Sequence, residues 1–350
     1  MKSTIILALA LTMHVTTASA SNWYECKGKI TNWDNDVMYL KMNTTSIPKG
    51  SKWESATISA ANAWNNVKGS NLTIKMGYDE DGTVNKSNGI NEIYFSSDLG
   101  DQYAGTTYSR RQCYEDPLGK VHTKILETDI ALNKNIVWTL SNTNPTIFGP
   151  YMFGLTVLHE IGHALGLAHE DRVLNTMFPD YPSGGPIGVD YMIIPHADDR
   201  VGLRRLYPGT SSGIDLAASA YRNEYGMNLY TTVTDYSTGK YSSKIVYNNP
   251  YNVNYTIENL GTTTEKANVY TYLSKDRYAS PDDYYLGGAV WSLPPGSTFT
   301  AAKMFFINNG IPEGDYYVVY EIRTVSGASE VTNKDNKVSQ AALVNVGRLF

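Results

Sequence analysis

Half of the chain's six histidines fall in one run, HEIGHALGLAHE, from His159 to Glu170. His159 and His163 are four residues apart, so on an α-helix both imidazoles leave the same face. Two such nitrogens can hold a Zn2+, with Glu160 beside a water at the same pole. His169 lies six residues beyond His163, too far round a continuing helix to reach that ion. Gly166 resolves the problem. A glycine tolerates positive φ, so it can end the helix and let the chain return with His169 as the third ligand. Three protein ligands and one open position are the catalytic form of a zinc site, whereas structural sites are closed by four. The expected chemistry is peptide-bond hydrolysis by a zinc-activated water. Glu160 serves as general base and passes the proton to the leaving amine.

These residues need a helix under them and a frame around it. FGLTVLHEIGHALGL carries the strongest helical spacing in the chain, and ADDRVGLRRL reads as a second helix downstream. SATISAANAWNNV (Ser55 to Val67) places Ala, Trp and Val on one face of another. NLTIKMGY, NEIYFSS and KILETDIALN read as strands. YPGTSSGID (Tyr207 to Asp215) punctuates the chain with Pro, Gly and Ser, as a polar and flexible connection would. Beyond it, NLYTTVTDY, VNYTIENLG, NVYTYLSKD, GDYYVVYEIRT and QAALVNVG are short, near-regularly spaced strands, which point to a β-sandwich. The division expected is 1–20 signal peptide, 21–208 catalytic domain, 209–215 linker and 216–350 sandwich.

The opening MKSTIILALALTMHVTTASA has the layout of a secretory signal: Lys2, a short apolar run, and small residues before a cut after Ala20. The run is too short to span a bilayer, and no later segment is apolar enough. An exported, soluble and monomeric protein is expected. A net charge of −5 with 18% charged residues gives no basic surface for nucleic acid. Two cysteines, Cys26 and Cys113, would survive signal removal. An oxidising compartment favours a disulfide between them. The other reading makes Cys26 a latency ligand on the metal.

The element His-Glu-x-x-His-x-x-Gly-x-x-His resembles the metzincin clan of zinc metallopeptidases. LNTMFP supplies Met177 for the clan's methionine-containing turn, eight residues after His169. So short a gap is similar to the matrixin branch, and the likeness extends from about Tyr39 to Pro208 through NGINEIYF, ILETDIALN and DDRVGLRRLYPG. The resemblance implies an α+β fold: a twisted mixed sheet with an active-site helix and a closing helix. It also implies one catalytic zinc, protein or peptide substrates, and a specificity pocket walled by the loop with Pro179 and Tyr181. Departures exist. Glu170 follows the third histidine where matrixins usually carry Ser, and Pro179 leaves no place for the zinc-binding tyrosine of astacins and serralysins. The latency peptide is missing. With His14 lost in the signal, only His122 and His196 lie outside the motif, too few for the family's second, structural zinc. The C-terminal part, through VNYTIENLGTTT, PPGSTFT and GDYYVVYEI, is similar to CARDB-type immunoglobulin-like sandwiches. That implies an adhesive, targeting or spacer role.

YDEDGTVN (Tyr78 to Asn85) gathers carboxylates that could serve a calcium ion. Its spacing is not that of an EF-hand, and a solvated acidic turn is the reading expected. The alternative overall function is an adhesin with a catalytically weak zinc domain. Such proteins usually show the loss of Glu or a histidine, and here all four residues stand.

Overall fold

The computed structural model describes residues 22–348, apart from 82–83, 85–86, 101, 141–149, 171–174, 180–193, 196, 210–212, 220–231, 277–278, 332, 334–335 and 340–342. The expected signal and Tyr181 therefore lie outside the described residues. None of the described helices is long and apolar enough to cross a membrane.

β1 (Glu25–Cys26) and β2 (Lys29–Ile30) make a short hairpin. β3 (Val37–Asn43) buries Met38, Leu40 and Met42 on one face, the period-2 alternation of a strand. α1 (Lys52–Asn65) starts ahead of the expected Ser55 because Ser51 caps it, accepting from Glu54 N at 3.2 Å. Glu54 returns a bond to Gly50 N at 2.6 Å, close to a capping box. β4 (Thr73–Asp79), β5 (Glu92–Ser96), β6 (Gly105–Glu115) and β7 (Val121–Asn133) complete a sheet of order β4-β3-β5-β7-β6. Its first four strands are parallel and β6 runs antiparallel at the edge. β8 (Trp138–Thr139) pairs with β9 (Tyr151–Met152), which leads into α2 (Phe153–Ala164); α3 (Ala197–Leu206) follows.

The core of this half lies between the sheet and its helices. Trp64 of α1 is fully buried and donates its indole N–H to Leu158 O of α2 at 2.9 Å. Val157, Leu158 and Ile161 of α2 join Leu203 and Leu206 of α3 in one cluster. A Cys26–Cys113 disulfide ties β1 to β6 across 87 residues of sequence, so Cys26 is not a free thiol.

Among the described residues, the regular elements of the second half are all strands: β10 (Leu216–Ser219), β11 (Thr232–Asp235), β12 (Lys244–Val246), β13 (Pro250–Asn259), β14 (Glu265–Ser274), β15 (Tyr284–Leu293), β16 (Ser297–Phe306), β17 (Gly314–Thr324), β18 (Lys337–Ser339) and β19 (Val344–Gly347). β13 carries β10 and β11 along one side and β16 along the other. The facing sheet runs β12-β19-β17-β14-β15, with β18 on β17. Tyr251, Val253, Tyr255 and Ile257 of β13 meet Tyr316, Val318, Tyr320 and Ile322 of β17 in the core between them. β15 and β16, which the sequence reading did not separate as strands, are both ten residues long.

The expected flexible connection differs from what is found at its far end. Asp215 is 1% exposed and pairs with Arg204 Nη2 at 3.0 Å and Arg200 Nη2 at 3.6 Å, both from α3. Arg204 also donates to Lys68 O and Leu260 O, and Val201 packs on Ala217 and Leu260. The polar letters that read as a hinge are partly the partners of an interface.

Candidate metal centre

α2 ends in a Schellman turn. Leu167 N donates to Gly162 O at 3.0 Å and Gly166 N to His163 O at 3.0 Å, closing the last carbonyls. Gly166 sits at φ +106°, and a Cβ there would lie 2.7 Å from Thr31 O, so only glycine fits. The chain then runs back against the N-terminal segment. Tyr24 N bonds Gly166 O, Ala168 N bonds Asn22 O, and Asn22 Nδ2 donates to His169 O at 2.9 Å. Nothing in the sequence pointed to Asn22, because this contact spans 147 residues without any periodic pattern.

The return delivers His169 to the other two. Its Nε2 lies 3.2 Å from His159 Nε2 and 3.0 Å from His163 Nε2. The ring nitrogens on the far sides are tied down: His159 Nδ1 to Thr176 O at 2.6 Å, His163 Nδ1 to Leu167 O at 2.9 Å. A carbonyl only accepts, so in both rings Nδ1 carries the proton and Nε2 keeps its lone pair. Burial holds both imidazoles neutral, with His159 pushed down to about 4 and His163 also well below its ordinary range. The His159 and His163 lone pairs converge on His169 Nε2, and such an approach needs a cation, or a proton on His169, between the nitrogens. Tetrahedral zinc at about 2.0–2.1 Å from each nitrogen would put neighbouring nitrogens about 3.3–3.4 Å apart. The donor set therefore fits zinc.

Met177 lies under this cluster, 2% exposed. A Cβ on Gly162 would come within 2.3 Å of Met177 Sδ and 3.0 Å of the Trp64 ring, so that glycine makes room for the turn. Both Thr176 N and Met177 N donate to the Asp199 carboxylate, at 2.8 and 3.1 Å, and Asn175 Nδ2 to Asp198 at 3.0 Å. α3 thus braces the turn whose Thr176 carbonyl orients His159. Pro179 is exposed beyond it.

Glu160 points to the edge strand. It is 5% exposed, and burial pushes its carboxyl up to about 7, while a hydrogen bond from Thr107 pulls the other way. Thr107 Oγ1 lies 2.6 Å from Glu160 Oε2. The acidic stretch at Tyr78 does not gather toward one point. Glu80 pairs with Lys49 at 2.5 Å on the surface, whereas Asp79 turns inward toward Glu92. Among the described residues, His159, His163 and His169 are the one group of three or more His, Cys, Asp or Glu whose ligand atoms converge, all within 4.8 Å. His122 is engaged elsewhere, with Asp116 at 2.9 Å.

The Matrixin (M10 peptidase) family model matches residues 32–208. No curated protein matches the chain. Among solved structures, the CARDB domain of a Pyrococcus furiosus protein is 14% identical, over 39% of this chain and 97% of that one, with a TM-score of 0.26. A β-glucosidase from Listeria innocua is 16% identical over 41% of this chain and 17% of its own, at 0.23. A Niemann-Pick type C2 protein from the Japanese carpenter ant is 10% identical over 40% and 96%, at 0.23. Scores this low bear on neither fold nor activity.

Proposed function

The chain belongs to the matrixin family of zinc metallopeptidases, and from that premise we propose that it is a secreted zinc endopeptidase with Glu160 as its general base. Residues 21–208 carry the catalysis and 216–350 form an appended immunoglobulin-like sandwich. His159, His163 and His169 would hold the ion through Nε2. Bound there, Zn2+ acidifies a water and polarises the scissile carbonyl. Glu160 takes the proton from the attacking water and delivers it to the leaving amine. β6, the sheet's edge strand, faces outward beside α2 and suits an extended peptide added as a further strand. The signal-like N-terminus and the Cys26–Cys113 bond both support export.

One observation carries the reading: three imidazole nitrogens converge, and two of the rings are locked by backbone carbonyls in the ligating tautomer. Mature protein should be incubated with a diverse peptide library, with and without chelator, and the cut sites read by mass spectrometry. Chelator-sensitive internal cleavage is expected. A library left intact by zinc-loaded protein would refute the proposal.

A further inference from the structure

Two residues of β6 bracket the Glu160 carboxylate. From one side Thr107 Oγ1 reaches Oε2 at 2.6 Å, with Glu160 O also near at 2.9 Å. A threonine hydroxyl has a single proton, and the shorter, charge-assisted bond to the carboxylate claims it. From the other side Gly105 leaves the space that Glu160 fills. A Cβ there would lie 2.8 Å from Oε1, 2.9 Å from Cγ and 3.1 Å from Cδ. Gly105 is not among the glycines with positive φ, so space rather than backbone conformation is what a side chain would violate. Residues 105 and 107 share a strand face, and β7 fixes both by pairing Gly105 with Leu132 and Thr107 with Ile130. The rim strand is therefore a rigid wall with a donor set into it.

We propose that Thr107 and Gly105 are positioning residues that fix the rotamer of the general base. The hydroxyl holds Oε2, and Oε1 is left to work on the proton. The inference rests on the proteolytic reading above. A base misplaced by an ångström loses up to about 10²-fold in rate. Thr107→Val keeps the shape of the side chain and removes the donor, so kcat should fall about tenfold with KM nearly unchanged. Thr107→Ser restores the donor and should recover to within about threefold of wild type. Gly105→Ala crowds the carboxylate and should lower kcat with zinc stoichiometry intact. A Thr107→Val enzyme with wild-type kcat, a Ser variant as slow as Val, or a loss confined to KM would each overturn the proposal. A wild-type protein that cuts no peptide would instead sink the proteolytic reading. The bond is then tested without turnover, by urea unfolding of Thr107→Val, Glu160→Ala and the double variant. Non-additivity of about tenfold in the unfolding constant supports it, and additivity contradicts it.

Discussion

The two halves use their buried polar rings differently. In the sandwich, two buried tyrosine hydroxyls are taken up by a neighbouring indole and by the backbone: Trp291 Nε1 donates to Tyr255 OH at 2.9 Å, and Tyr320 OH donates to Thr256 O at 3.0 Å. These two contacts join strands of the core. Around α2, the His159 and His163 rings each bond a backbone carbonyl on one side, and the other side faces a centre shared with His169. Hydrogen bonding serves packing in one half, and in the other it orients a set of converging donor atoms. His163 and Asp199 are both nearly buried, the one turned to the other two histidines and the other to the turn beneath them, while the buried Glu160 points to β6.

Equivalent cuts in the two halves should therefore differ most in activity. Glu160→Gln should cost at least ~10²-fold in rate while zinc stays bound. Tyr320→Phe, which also deletes a buried polar contact, should cost only about 1–2 kcal/mol of stability and leave peptide cleavage unchanged. Steady-state kinetics beside urea unfolding check both, and a Tyr320→Phe enzyme impaired on short peptides would break the distinction.

In activity, a smaller effect is expected where the halves meet. Asp215→Ala would remove the carboxylate that Arg200 and Arg204 share, and breaking a buried ion pair from one side typically costs about 3–5 kcal/mol. Arg204 is partly exposed, which brings the figure to the low end. Unfolding should split into two transitions in the variant and remain one in the wild type. Two transitions already present in wild type would mean that the seam does not couple the halves.

The gentlest effect is on pH. Glu92 is fully buried, and burial raises its carboxyl to about 7, with Asp79 and Asp129 adding repulsion. The folded state then holds a proton that the unfolded chain releases near its ordinary value of 4.5. Stability from this group is complete in acid below that value and fades as pH rises through about 7. Glu92→Gln should flatten that slope in thermal melts taken across pH. A slope unchanged in the variant would assign it to other groups.

The three-histidine cluster was legible because metal geometry dictates offsets: i and i+4 on a helix, then a glycine before the third histidine. Met177 followed from its short distance to His169, and Ala197–Leu206 from its spacing. Thr107, Asn22 and Asp199 were not legible as supports, since each acts through a contact set by the sheet order or by the return of the chain. The acids Asp79, Glu92 and Asp129 meet only because parallel β4, β3, β5 and β7 lie side by side. Asp215 read as linker because charge in a Gly/Ser stretch looks solvated until its arginine partners are known.

The most direct test of the metal centre is a titration. Protein stripped with chelator is given back zinc in steps, and metal content and peptide cleavage are followed together in wild type and His169→Ala. Activity should return in wild type at one equivalent of zinc, whereas His169→Ala should bind the ion weakly and stay inactive. Cleavage that survives complete removal of zinc, or a His169→Ala protein restored at one equivalent, would contradict the three-histidine centre.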